Sequence, residues 1–469
     1  MLSKENAADV FDRIRRMSSA DEVEVIFNSS RFALTRFANN IIHQNVEEEN
    51  SVVSIRTNFG GRSARATANQ FDDESLRRAV AASESLAKVQ ANDPDLLPMP
   101  TAQEAEGETR AAKPPARFFE ETASVTPGSR ADVVKRMATV ADRHALTTAG
   151  IYSISSSGEG IFNSRGLAKW HDQTSAEISI TMLAADSSGW QKFNSPDVAN
   201  LNPQHLADTA AEKAVQSAHP RELAPGKYTV ILEPAAVLDI VGFMFYDFSV
   251  VALLDQRSFL NDRVGSKLFG ENISISDDVM HPLQSGSPFD GEGMQRQRLQ
   301  LVENGMIKQI AFARATAKKV LASEFAHKVG PVTPTGHGFA LPNEVGEMPM
   351  NIVFELPANA NAGAKTQTID QMISSTERGV YVTRLWYIRE VDPYEKITTG
   401  MTRDGTFLVE NGKIQTGIRN FRFNQSLISM LSNVDSMGVP VRASGEESFD
   451  MVVPAMKVNH FNFTEVTKF

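Results

Sequence analysis

Val10, Phe11, Ile14 and Met17 recur at three- and four-residue intervals, which places them on one face of a helix. The period then falls to two. Glu22 to Asn28 alternates polar and apolar, Arg31 to Gln44 carries paired strand signals around Asn39-Asn40, and Ser51 to Asn58 alternates again before the tight-turn pair Gly60-Gly61. Asp72 to Lys88 returns to helical spacing, opened by acidic residues that suit the positive end of a helix dipole. The same order then comes round again. Ser129 to His144 predicts a helix with Ser129 as N-cap, strands follow at Gly150 to Ser155, Gly160 to Asn163, Ala168 to His171 and Glu177 to Leu183, and Pro203 to Ala218 predicts a closing helix. Two helix–strands–helix units that pair their strands predict an N-terminal α+β domain with an antiparallel sheet over residues 1–222. Between the units, the linker-like stretch 90–127 is rich in Pro, Ala and Glu and poor in periodic apolar residues, so a surface connection is expected there.

After Pro225-Gly226 short strands and turns dominate, which predicts a β-rich, barrel- or sandwich-like domain over residues 223–469. Leu301-Val302-Glu303-Asn304-Gly305-Met306-Ile307 and Leu408-Val409-Glu410-Asn411-Gly412-Lys413-Ile414 are near-copies of one another. Asn-Gly between apolar runs is a strong hairpin signal, because both residues tolerate positive φ. Helices are expected near Ala313 to Glu324, Thr368 to Glu377 and Gln425 to Val434.

Composition removes several function classes. The formal net charge of -10 opposes nonspecific binding to a phosphate backbone, so no nucleic-acid partner is expected. With no cysteine there is no disulfide, thiolate ligand or cysteine nucleophile. The N-terminus lacks the apolar core of a signal peptide. The longest apolar run, Val237 to Leu254, is broken by Asp239 and Asp247, so no membrane span and a cytoplasmic location are expected.

Candidate chemistry is sparse. None of the nine histidines is followed by Glu, so the helical motif that brings two His to one zinc ion does not occur. His327 and His337 are a loose pair across a Gly/Pro/Thr loop, read as a metal site or as two ordinary loop histidines. In Ser285-Gly286-Ser287-Pro288-Phe289-Asp290-Gly291-Glu292-Gly293, Asp290 and Glu292 share one face of an extended segment. Two such carboxylates suit acid/base work or a cation; a Gly-rich turn whose carboxylates accept backbone N–H groups is the plainer reading. Arg403-Asp404-Gly405 reads as a turn into the second hairpin, and Trp386 and Tyr387 as core or interface.

Taken together, ordered motifs across the whole chain resemble the TldD/PmbA family. They are Arg36-Phe37-Ala38-Asn39-Asn40-Ile41-Ile42-His43-Gln44-Asn45, then Ser287 to Gly293 with Leu301 to Gly305, then Pro334-Thr335-Gly336-His337-Gly338, then Val391-Asp392-Pro393 and Gly400 to Gly405. The resemblance implies a two-domain α+β fold related to peptidases of unfolded or short peptides. In its TldD branch an HExxxH helix and a later Cys hold zinc, whereas the TldE/PmbA branch lacks these ligands and pairs with a TldD subunit. By that comparison the metal helix falls near Gly242 to Asp247, with Gly242, Phe243 and Asp247 at the ligand positions and no Cys to follow. The implied role is a non-metal subunit, with no catalytic or metal residue and no cofactor of its own, and zinc carried by an HExxxH partner. Asp290, Gly291, Glu292 and His337 are then the candidate peptide-binding residues. Two alternatives stay open: a non-catalytic peptide-binding homodimer, and a hydrolase with a different site around Asp290, Glu292 and His337.

Overall fold

The computed structural model describes residues 1–106, 114–356 and 365–467. It opens with α1 (Lys4–Met17), β1 (Glu22–Ala38), β2 (Ile41–Phe59), β3 (Arg62–Ala68) and α2 (Asp73–Val89), passes two short helices, α3 (Ala102–Glu106) and α4 (Glu120–Ala123), and repeats the pattern as α5 (Pro127–Arg143), β4 (Thr147–Asn163), β5 (Ala168–Leu183), β6 (Ser188–Ser195) and α6 (Pro203–Gln216). All six strands form one antiparallel sheet in the order β3-β2-β1-β4-β5-β6. The two units meet at β1 and β4, in register from Glu24 opposite Asn163 to Ala38 opposite Ala149.

Local chemistry explains these elements. Asn39 and Asn40 both take positive φ, 51° and 62°, which lets β1 reverse into β2 in two residues. The Ser3 side chain caps α1 by accepting from the Asn6 N–H, and Ala7, Val10, Phe11 and Ile14 bury its apolar face against Val25, Phe27 and Val53. Asp72 caps α2 in the same way, through the Ser75 N–H. In the second unit Val134, Met137 and Val140 of α5 and Leu206, Ala207 and Ala210 of α6 pack on Ile154, Ile178 and Ile180.

Two details differ from the sequence reading. The α5 cap is Thr126, whose hydroxyl accepts from the Ser129 N–H, because Pro127 fits the first helical turn where no donor is needed. The stretch around Gly158 and Gly160 is not a break: β4 runs straight through, and a Cβ at Gly160 would sit 2.4 Å from Trp170, so these glycines make room for the indole. In the stretch 90–127 most of the described residues are exposed or half-buried, while Met99, Ala105, Arg117 and Thr122 anchor it to the interior.

The rest of the chain begins with β7 (Gly226–Leu232), α7 (Pro234–Val241) and a 3-10 turn over Gly242–Phe248, and then α8 (Val250–Leu254), β8 (Ser274–Asp277), β9 (Leu299–Glu303), β10 (Met306–Ile307), α9 (Arg314–Leu321) and β11 (Ile352–Glu355). It ends with β12 (Lys365–Thr366), α10 (Ile369–Ser374), β13 (Arg378–Asp392), β14 (Ile397–Glu410), β15 (Lys413–Gly417), β16 (Phe421–Ser426), α11 (Leu427–Ser432), β17 (Val434–Met437), β18 (Val441–Ala443), β19 (Met451–Val453) and β20 (Met456–Val466). Strands β7, β13, β14, β16 and β20 close on one another as a five-stranded barrel, sealed by β20 against β7. A six-stranded sheet, β10-β9-β8-β11-β19-β18, lies beside it. Helix α7 and the 3-10 turn are buried in the core, where Val237, Ile240, Val241, Met244, Phe245 and Phe248 are fully enclosed.

Both Asn-Gly pairs are hairpin turns, with Asn304 and Asn411 at φ 49° and 50°. Arg403-Asp404-Gly405 is not a turn but a kink inside β14. Asp404 takes φ 54° there, and its buried carboxylate holds Arg384 at 2.6 Å. Among the described residues no helix is long and apolar enough to cross a membrane.

Candidate functional site

The face of the N-terminal sheet opposite α5 and α6 meets the loops of the C-terminal part, and the two enclose a cleft of about 430 Å³. Ile26 and Ile161 give its sheet wall an apolar lining, and Phe289, Met350 and Phe449 face them. Its polar groups include Glu159 and Gln173 from the sheet, and Asp290, Arg296, Asn351 and Asp450 from the loops. Two of the three carboxylates are already engaged: Asp450 accepts from Asn194 at 2.6 Å and from Arg442 at 3.1 Å, and Asp290 is held by the loop around it. Glu159 is half-buried on β4, and burial pushes its carboxyl above the usual range, against the pull of Ser287 and Arg296.

The loop is built around Asp290. Its Oδ1 accepts from the Glu292 and Met294 N–H groups, each at 2.9 Å, and its Oδ2 accepts from the Gly338 N–H at 2.8 Å. The Gly291 N–H returns a 2.9 Å bond to the Gly338 carbonyl. Gly338 has no room for a side chain, since a Cβ there would lie 2.7 Å from Glu292 Oε1 and 3.2 Å from Asp290 Oδ2. Glu292 turns away from the cleft to the start of α9, where Oε1 accepts from the Arg314 N–H at 3.2 Å and the Arg314 guanidinium lies 3.7 Å from Oε2. Burial, and then the charge of Asp290, push Glu292 up to about 7. Burial also raises Asp290, opposed by its three N–H donors. Such a pair favours holding a single negative charge.

His337 follows the same loop but points elsewhere. Its Nε2 meets Asp277 Oδ1 and its Nδ1 meets Thr335 Oγ1, both at 3.0 Å, and the side chain is fully enclosed. Asp277 is itself wholly buried, yet His337 and the Asn351 N–H hold it below the usual carboxylate range against that burial. The backbone thus brings Asp290, Gly291, Glu292 and His337 together, but only Asp290 and Gly291 line the cleft. His327 is exposed on a separate 3-10 turn and does not pair with His337. Glu159, Gln173, Arg296, Asn351 and Asp450 were not among the sequence candidates. They come from distant segments, and none carries a local motif.

The segment indicated as the metal helix has a different chemistry. At Gly242 a Cβ would lie 1.9 Å from Ser448 Oγ, so the place of a side chain is filled. Phe243 offers no donor atom. Asp247 is buried and holds the ammonium of Lys396 at 2.8 Å, while Glu390 approaches the same ammonium. Zinc needs three protein donors with free lone pairs. These positions supply one carboxylate, already neutralised by Lys396, and do not fit the ion. Among the described residues, no group of three or more His, Asp or Glu side chains converges as metal ligands would.

With this geometry in place, three successive stretches match known domains. Residues 23–87 match the PmbA/TldA metallopeptidase domain 1, residues 102–218 its central domain, and residues 225–465 its C-terminal domain. The chain is 22% identical over 431 residues to the metalloprotease PmbA of Escherichia coli O157:H7, covering 88% of this chain and 87% of that protein. The crystal structure of TldE from Thermococcus kodakarensis superposes with a TM-score of 0.82 at 18% identity, covering 98% of this chain and 99% of that one. A proposed modulator of a DNA gyrase from Thermotoga maritima gives the same TM-score, 0.82, at 20% identity, over 98% of this chain and 100% of that one.

Proposed function

The chain belongs to the PmbA/TldD metallopeptidase family, and from that premise we propose that it is the metal-free subunit of a two-chain peptidase for unfolded or short peptides. The observation that carries this reading is the state of the segment Gly242 to Asp247. One ligand position is filled by Ser448, the second is a phenylalanine, and the third is paired with a buried lysine. A zinc ion would supply Lewis-acid polarisation and an activated water in such a peptidase, and in this reading the HExxxH-bearing partner carries it. This chain contributes the cleft. Its apolar walls take side chains of an extended peptide, and Asp290 and Gly291 shape one end. Glu292 and His337 stand behind that wall and fix the loop that carries it.

The reading is tested with the purified chain on an unfolded protein substrate, alone and after co-expression with an HExxxH-bearing relative from the same genome. Cleavage is expected only from the pair and is abolished by a chelator. Chelator-sensitive cleavage by the isolated chain would rule the reading out.

A further inference from the structure

Glu159 is the odd charge in the cleft. Of the three carboxylates that line it, Asp290 accepts from the Glu292, Met294 and Gly338 N–H groups and Asp450 holds Arg442, whereas Glu159 makes no ion pair among the described residues. Its neighbours explain why. In the antiparallel register Glu159 stands between Asn28 on β1 and His171 on β5. Cross-strand neighbours share a face at about 5 Å, where an opposite charge would pair with it. Asn28 carries no charge, and burial holds the His171 imidazole below its ordinary range, so it is neutral at pH 7. On the loop wall, Arg296 acts on Glu159 through space but spends its hydrogen bonds on Asn351 and the Phe289 carbonyl.

Three carboxylates and one guanidinium line the cleft, so the lining opposes an anion and favours a cation. Lys169, the other cation near Asp290, does not line it and donates to the Ala105 carbonyl at 3.1 Å. A half-buried carboxylate with no counter-charge in contact is where a ligand's cation gains most. Apolar surface adjoins it. Ile161 lies two residues on along the same face of β4, Ile26 stands opposite Ile161, and Phe289 packs on this pair from the loop wall. An ammonium beside an apolar side chain matches the start of a peptide, where both leave the same carbon. A lysine ammonium, by contrast, ends a flexible four-carbon stem. The 430 Å³ of the cleft is small among ligand clefts, which run from about 300 to 1,000 Å³, and suits the end of a chain better than a long stretch of it.

We propose that the cleft takes a peptide by its free N-terminus, with the α-ammonium on Glu159 and the first side chain against Ile26, Ile161 and Phe289. The inference rests on the peptide-binding role proposed above and narrows the ligands to chains with an unblocked amino end. Glu159 is the residue that sets this specificity.

The test is calorimetric binding to the full chain, which carries every residue of the cleft. The probes are Leu-Ala-Phe-Ala amide, its N-acetylated form, and the N-acetylated form with Lys in place of Leu. At pH 7 a peptide α-ammonium, with a pKa of about 7.7–8.0, is charged. Acetylation of the Leu peptide should weaken binding to the wild type by about tenfold or more, the scale of a lost charge-assisted hydrogen bond. Glu159→Gln should bind the free peptide as weakly as the wild type binds the acetylated one, and should not tell the two apart. If that variant fails to fold, the two Leu peptides on the wild type decide alone. Equal binding of these two by the wild type overturns the inference and leaves the two-chain reading standing, since that reading turns on zinc and cleavage. Tight binding of the acetylated Lys peptide, lost in Glu159→Gln, overturns the assignment to the N-terminus and moves the ammonium to a side chain. No binding of any probe overturns both the inference and the peptide-binding role of the cleft.

Discussion

Replacing Lys396 by Met leaves the Asp247 carboxylate buried without its counter-charge. The lysine side chain is 2% exposed and its partner 10%, so water replaces little of the lost interaction. Removing one partner of such a pair costs about 3–5 kcal/mol. At about 2–4 °C per kcal/mol for a unit of this size, the melting temperature should fall by roughly 6–20 °C. The loss should also depend on pH. Burial already holds Asp247 above its ordinary value, and the lysine is the main force pulling it back. Without Lys396 the folded-state pKa rises further, while the unfolded value stays near 3.9. The folded variant therefore binds an extra proton as pH drops through that raised pKa, and part of the lost stability returns on acidification. Thermal melts of wild type and Lys396→Met at pH 8 and pH 5.5 should show the larger gap at pH 8. Asp247→Asn/Lys396→Met should recover most of the stability at both. A gap below about 1 °C, or one of equal size at the two pH values, would refute the reasoning.

Gly242→Ala forces a methyl group against Ser448 and should cost about 1–3 kcal/mol in a denaturant melt, with Ser448→Gly in the same chain restoring most of it. Glu292, held near 7 in the fold and near 4.5 when exposed, takes up a proton on folding between those values, so its contribution to stability grows as pH falls from 8 to 5.5. Glu292→Gln should flatten that part of the pH–stability curve, read by thermal melts across the range.

Where a structural feature depends on neighbouring residues, it was legible in the sequence. The Asn39-Asn40, Asn304-Gly305 and Asn411-Gly412 turns, the amphipathic faces of α1 and α2, and the repeated helix–strands–helix order all follow from short-range chemistry. Features that depend on distant partners left no such mark. The barrel closes where β20 meets β7, an encounter between residues such as Val458 and Val230 that no local pattern announces. His337 left two readings open, a metal ligand and an ordinary loop histidine, because its partner, Asp277 on β8, is far away in the sequence. Asp247 carried no local sign of its partner because Lys396 lies far along the chain. That β4 runs unbroken through Gly158 and Gly160 was not legible because Trp170, which occupies the place of their side chains, is on the next strand. The cleft escaped notice for the same reason: Glu159, Arg296 and Asp450 have no motif in common, only a place in the fold.

The central claim is that this chain holds no zinc and works beside a chain that does. Elemental analysis of the purified protein, alone and after co-purification with an HExxxH-bearing relative, addresses it most directly. The account predicts less than a tenth of an equivalent of zinc in the isolated chain and about one equivalent in the complex, from the three-ligand site that a catalytic zinc requires. One equivalent of zinc in the isolated chain, retained after dialysis, would contradict it.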